Sequence, residues 1–115
     1  MHIELPSGSY LTFDKAYNGY AQFARFTKKG IFFITRQKDN AIYTSVSETL
    51  LTKDMPDELL KEEEVIQQVY KDEKGKEHLL ELRRIAWWDT VSGRAYEFIS
   101  NNFIMEAAMI AAIYR

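Results

Sequence analysis

The 115-residue chain has no cysteine, and only two prolines, two histidines and five glycines. Without cysteine there is no disulfide framework and no thiolate metal site, which fits a reducing compartment. His2 and His78 are too few and too far apart for a histidine-based metal centre. So little proline and glycine leaves no room for a low-complexity linker. No apolar run approaches the ~18 residues that a membrane span needs. Residues 1–6 lack the basic and apolar regions of a signal peptide. These absences predict a cytoplasmic protein that engages no membrane.

The residues that are present suit one small domain with a single core. Hydrophobic residues make up 46% of the chain and charged residues 28%, an ordinary balance for a globular protein. The net charge of −2 argues against a generic nucleic-acid coat. Its distribution is less even. Residues 1–40 hold six basic and three acidic side chains, and the remainder holds nine and fourteen. Such asymmetry suits an N-terminal third that meets an anion, although solvated faces account for it equally well.

Periodicity divides the chain into two parts. Residues 9–14 read as a short strand ending on Asp14, and Asp14-Lys15-Ala16-Tyr17 leads at once into a helix pattern. In residues 17–29 the apolar positions Tyr17, Tyr20, Phe23 and Ala24 recur at helical spacing. Gly30 after Lys28-Lys29 is a helix stop. Residues 31–36 are nearly all apolar, which predicts a strand buried on both faces. Strand, helix and strand make a βαβ unit with a right-handed crossover.

The middle of the chain alternates instead. Weak strand character covers residues 41–46, and a loop covers 54–58. Strands are predicted over 64–71, 78–88 and 94–100, with turns at 72–76 and 89–93. Alternation sends Trp87 and Trp88 to opposite faces, and likewise Arg83 and Arg84. Glu58, Glu62, Glu63 and Glu64 read as a solvated acidic cluster. Asn102 is a plausible N-cap for an Ala-rich helix running through Tyr114 to Arg115.

This order of elements and motifs resembles the catalytic domain of IS4-type insertion-sequence transposases, part of the DDE superfamily with an RNase H-like core. The resemblance rests on Asp14-Lys15-Ala16-Tyr17 with Tyr20, on Arg36, Lys38 and Asn40 after the next strand, and on Leu82-Arg83-Arg84-Ile85. Ser100-Asn101-Asn102 before the Ala-rich helix completes it, with Tyr114 at the start of the Tyr-Arg-Glu-Lys signature. It implies an α/β fold: a partial RNase H-like βαβ segment in residues 1–38, a β-rich antiparallel insertion in 39–100 and a C-terminal helix in 101–115.

The resemblance also implies a chemistry. Two Mg²⁺ or Mn²⁺ ions, about 3.5–4 Å apart, would activate phosphoryl transfer at DNA ends. Asp14 would be a catalytic, metal-binding carboxylate. The partners would be transposon-end and target DNA, with a homodimer for the intact protein in a bacterial-type cytoplasm. The family's first catalytic Asp lies on an earlier strand, and its Glu would fall about six residues beyond Arg115 by the signature spacing. The chain therefore reads as an interior fragment with one carboxylate of three, inactive by itself.

Arg36 and Lys38 share a face at a strand end, where they would contact phosphate or else sit in solvent. Lys15 is read as a further DNA contact or a solvated side chain, Tyr17 as both core and site residue, and Tyr114 as a backbone contact. Arg84 and Trp88 are candidates within the insertion, Trp88 for stacking on an extruded base, against the simpler reading of hairpin packing. The competing reading is a small non-catalytic α/β module that binds DNA or protein.

Overall fold

A computed structural model describes residues 10–13, 19–37 and 42–114. Asp14, Lys15, Tyr17, Lys38 and Asn40 lie outside the described residues. The elements are β1 (Tyr10–Phe13), α1 (Tyr20–Lys28), β2 (Phe32–Arg36), β3 (Thr44–Thr49), β4 (Leu59–Lys71), β5 (Glu77–Asp89), β6 (Arg94–Ser100) and α2 (Ala107–Tyr114). They form an α/β fold on one six-stranded sheet of order β1-β2-β6-β5-β4-β3. β1 and β2 are parallel, and every other pairing is antiparallel.

The helices cover opposite faces of the sheet. Successive strand residues point to opposite sides, and the adjacent residues Phe33 and Ile34 fall into different core clusters. Phe33 packs with Phe23 and Phe26 of α1, together with Ile31, Ile66, Leu80, Leu82 and Ile99. Ile34 packs with Ala107, Ile110 and Ala111 of α2, together with Leu59, Ile85, Trp87 and Phe98. Phe23 and Phe33 stack at 4.2 Å between centroids and anchor α1 to the centre of the sheet.

α1 ends where Gly30 takes a positive φ of 71°. The Gly30 N–H donates to Thr27 O at 3.2 Å and the Ile31 N–H to Phe26 O at 2.9 Å. This Schellman closure brings Ile31 onto Phe26 in the same cluster. At the other helix, the expected start at Asn102 is corrected. α2 begins only at Ala107. The Asn102 carboxamide instead accepts from the Ile104 and Met105 N–H groups, both at 2.9 Å, and so closes a turn ahead of the helix.

β3 begins three residues later than expected and β4 five residues earlier, because pairing with β5 draws residues 59–63 into the sheet. The β4–β5 turn is closed by Asp72. Its Oδ1 accepts from the Lys74 and Lys76 N–H groups at 2.9 Å, and its Oδ2 lies 2.8 Å from His78 Nε2. Gly75 supplies the positive φ of 80°.

Leu82→Ala, at a fully buried position, is expected to cost about 2–5 kcal/mol, whereas Leu79→Ala on the exposed face of the same strand should stay within about 0.5 kcal/mol; urea unfolding distinguishes them. The hydrogen bond from His78, then the turn N–H groups, hold the Asp72 carboxyl below its ordinary 3.8. The turn's contribution is thus complete above that value and is lost as pH falls through the lower folded value. Carboxyl NMR titration should find Asp72 below 3.8, and His78→Ala should move it back upward.

Candidate functional site

β2 and β5 both run antiparallel to β6, so β1, β2 and β5 point the same way and end at one end of the sheet. Phe13, the residue before Asp14, ends β1 there, Arg36 ends β2 and Asp89 ends β5. β6 begins there with Arg94. Parallel strands with their carboxyl ends gathered on one edge are where α/β sheets hold ligands.

On the α2 face of this end lies a cavity of about 180 Å³ lined by Trp87, Asp89, Tyr96, Phe98, Ala111 and Tyr114. The β5–β6 register sets Trp87 directly opposite Tyr96 and Ile85 opposite Phe98. The Tyr114 ring from the end of α2 stands 4.9 Å from Phe98. The Arg36 guanidinium lies over the Tyr96 ring at 4.7 Å and that of Arg94 at 5.5 Å. One ring thus gathers two cations at the cavity rim. The Trp87 indole N–H is buried with no acceptor among the described residues. A buried donor without a partner costs free energy that an incoming acceptor would recover.

Two of the residues singled out from sequence, Arg36 and Tyr114, therefore come together here. Trp88 is 41% exposed, but alternation places it on the α1 face, away from this cavity. The tryptophan that lines the site is Trp87. Sequence reasoning missed Trp87, Tyr96, Phe98 and Arg94 as a group. The signal available was the hairpin register, which follows from the 89–93 turn once both strands are aligned.

Arg84 has a different place. It is 7% exposed, and its guanidinium is occupied within the protein. It bonds Glu63 Oε1 at 2.8 Å, Gln37 Oε1 at 2.6 Å and Glu97 Oε1 at 2.8 Å. The Tyr43 ring covers it at 5.2 Å. On the opposite face Arg83 forks onto Glu62 and donates to the carbonyls of Asn102 and Met105. Both arginines are interior ion-pair partners. The acidic cluster is corrected with them: Glu62 and Glu63 are buried, because an arginine of β5 meets each of them.

Burial raises the Tyr43 hydroxyl pKa, and the charge of Arg84 opposes that shift. Burial likewise raises that of Tyr20, against a hydrogen bond from Gln68 Nε2 at 2.8 Å. Among the described residues, no three His, Asp or Glu side chains gather where they could hold a metal ion. No described helix is long and apolar enough to cross a membrane. Neither a family model, nor a curated protein, nor a solved structure matches the chain.

Arg84→Ala would leave Glu63 buried beside an empty space and is expected to destabilise by about 3–5 kcal/mol. Replacing the pair together, with Glu63→Gln and Arg84→Met, should recover much of that loss. Denaturant unfolding of the two single variants and the double variant measures the coupling.

Proposed function

We propose that the chain is a segment of a DDE-type transposase catalytic domain whose working end is the edge that carries Arg36, Trp87, Tyr96 and Tyr114. The observation that carries this reading is the convergence at one sheet edge. The strand that leads into Asp14, the cationic end of β2 and an aromatic cavity whose N–H donor has no acceptor among the described residues all meet there. The chain order supports it as well: a parallel βαβ unit, then a run of antiparallel strands that extends the same sheet through β6, then a helix that ends on Tyr114. In this reading residues 1–38 are part of an RNase H-like core and residues 39–100 its β-rich insertion.

The chemistry assigned to this end is recognition of a DNA strand. Arg36 and Arg94 would face phosphates, and Lys15 and Lys38 belong to the same assignment by resemblance. The cavity would admit one extruded base, stacked against aromatic rings and hydrogen-bonded by the Trp87 N–H. Asp14 would be one of the carboxylates that ligate Mg²⁺ or Mn²⁺ in the intact site. The ions would polarise the scissile phosphate. One carboxylate does not fix two ions, so strand cleavage needs carboxylates beyond Asp14. The protein would act in a bacterial-type cytoplasm.

The second reading is a non-catalytic module that binds nucleic acid or protein. The ion-pair network favours it, since both buried acids among the described residues are committed to arginines. DNA binding at this end tests the first reading. Fluorescence anisotropy should show binding to a DNA duplex with an unpaired end nucleotide, weakening as salt rises. Arg36→Ala should lower affinity and flatten the salt dependence by about one phosphate contact. Trp87→Phe keeps the ring packing and should selectively lose the preference for the unpaired end. No DNA affinity at low salt removes the transposase reading. Mg²⁺-dependent cleavage by this chain that disappears in Asp14→Ala would instead refute the one-carboxylate argument.

A further inference from the structure

A second cavity lies at the opposite end of the sheet. It has a volume of about 370 Å³ and sits between α1 and the β4–β5 turn. Tyr70 and His78 are directly opposed across the two strands, and their rings stack at 5.2 Å with 20° between planes. The stacked pair lines the floor of the cavity beyond the end of the apolar core. Ala21 and Ala24 of α1 line the wall above it, and their small side chains leave the space open.

The charges around this floor are uneven. Arg25 and Lys28 come from the last turns of α1 and Lys74 from the β4–β5 turn. Against them stand Asp72 and Glu73. The Asp72 carboxylate is turned inward to the Lys74 and Lys76 N–H groups and to His78 but keeps its charge. Three cations therefore face the cavity against two acids, an excess of one positive charge on a chain whose net charge is −2. Arg25 is steadied by Gln22, whose Oε1 accepts from its Nε at 3.1 Å. An aromatic floor rimmed by cations matches a ligand with a planar ring at one end and an anion at the other. The volume falls within the range of small-molecule sites.

We propose that this cavity binds a nucleotide, with the base over the Tyr70–His78 face and the phosphate between Arg25, Lys28 and Lys74. The ligand chemistry is a base joined to a phosphate, which a free mononucleotide and a single strand of nucleic acid both supply. The site does not depend on the reading of the Arg36 end, because it lies at the other end of the strands and shares no residue with it.

Proton–nitrogen NMR titration with adenosine monophosphate, inorganic phosphate and an eight-residue oligodeoxythymidylate tests it. Saturable nucleotide shifts are expected at Ala24, Lys28, Tyr70 and His78, with affinity at least tenfold above that of inorganic phosphate. Lys28→Gln with Lys74→Gln, both on exposed side chains, should weaken binding at least tenfold. Ala21→Leu should weaken it by filling the space. Tighter binding of the oligonucleotide through the same residues supports the site and names single-stranded nucleic acid as its source. Mononucleotide binding at least as tight, also through these residues, supports it with the free nucleotide as the ligand. The proposal is overturned by no saturation at millimolar nucleotide, by equal affinity for inorganic phosphate, by indifference to the double substitution, or by shifts confined to the Arg36 end.

Discussion

Two consecutive glutamates on β4 meet two consecutive arginines on β5, and the register of the long hairpin depends on this double pairing. Glu62 and Arg83 lie on the α2 face, and Glu63 and Arg84 on the α1 face. Irregular pairing occurs on both sides of them, between Leu59 and Lys61 and between Glu63 and Ile66. A strand with two bulges has weak intrinsic register, because each bulge reverses the side on which later residues fall. A slip of one residue would turn Glu62 and Glu63 each to the other face of the sheet and break both buried pairs as they stand. That penalty is far larger than the modest net gain from forming an ion pair. The network selects one alignment more than it stabilises it.

Other elements are then tied to that alignment. Arg84 reaches Gln37 beyond β2 and Glu97 on β6, so three strands share one guanidinium. Arg83 holds the carbonyls of Asn102 and Met105, which lead into α2. A second group of polar residues continues the connection. The Ser100 hydroxyl donates to Phe33 O at 2.7 Å, and the Asn101 carboxamide accepts from the Phe33 N–H and donates to Ile31 O, both at 2.9 Å. The Asn101 side chain thereby prolongs the β6–β2 ladder past the end of β6. Asn102 adds the Tyr10 hydroxyl of β1. In this way β1, which pairs only with β2 among the described strands, is tied by a side chain to the segment that follows β6.

Much of this architecture was legible in the sequence, for physical reasons specific to each element. The apolar run Ile31 to Ile34 gave β2 its two-faced burial, and alternation assigned Trp87 and Trp88 correctly to opposite sides. The Lys-Lys-Gly step marked the end of α1. The parts that were not legible depend on contacts distant in sequence. Glu62 and Glu63 look like solvated acids until Arg83 and Arg84 are set beside them, and that requires the register of a strand with two bulges. The start of α2 was misplaced because Asn102 has the chemistry of a helix cap but uses it on a turn. The aromatic cavity was hidden because Trp87, Tyr96, Phe98 and Tyr114 come from three elements, none of which carries a motif for it.

The two ends of the sheet also differ in how firmly they are built. At the Arg36 end the cavity walls are β-strand and helix side chains in contact with the α2 core, and the strands behind them are held by the arginine network. Aromatic rings placed in this way are preorganised, so a ligand entering there loses little affinity to ordering the site. The far end is a long hairpin whose tip carries charged, exposed side chains and whose order rests on the Asp72 turn and the Tyr70–His78 stack. Such a tip can adjust its cations to a ligand, but binding then includes the cost of fixing them. Selectivity for shape is therefore expected at the Arg36 end, and selectivity for charge at the hairpin end. A single sheet can support both, because the buried ion pairs hold its middle in one register.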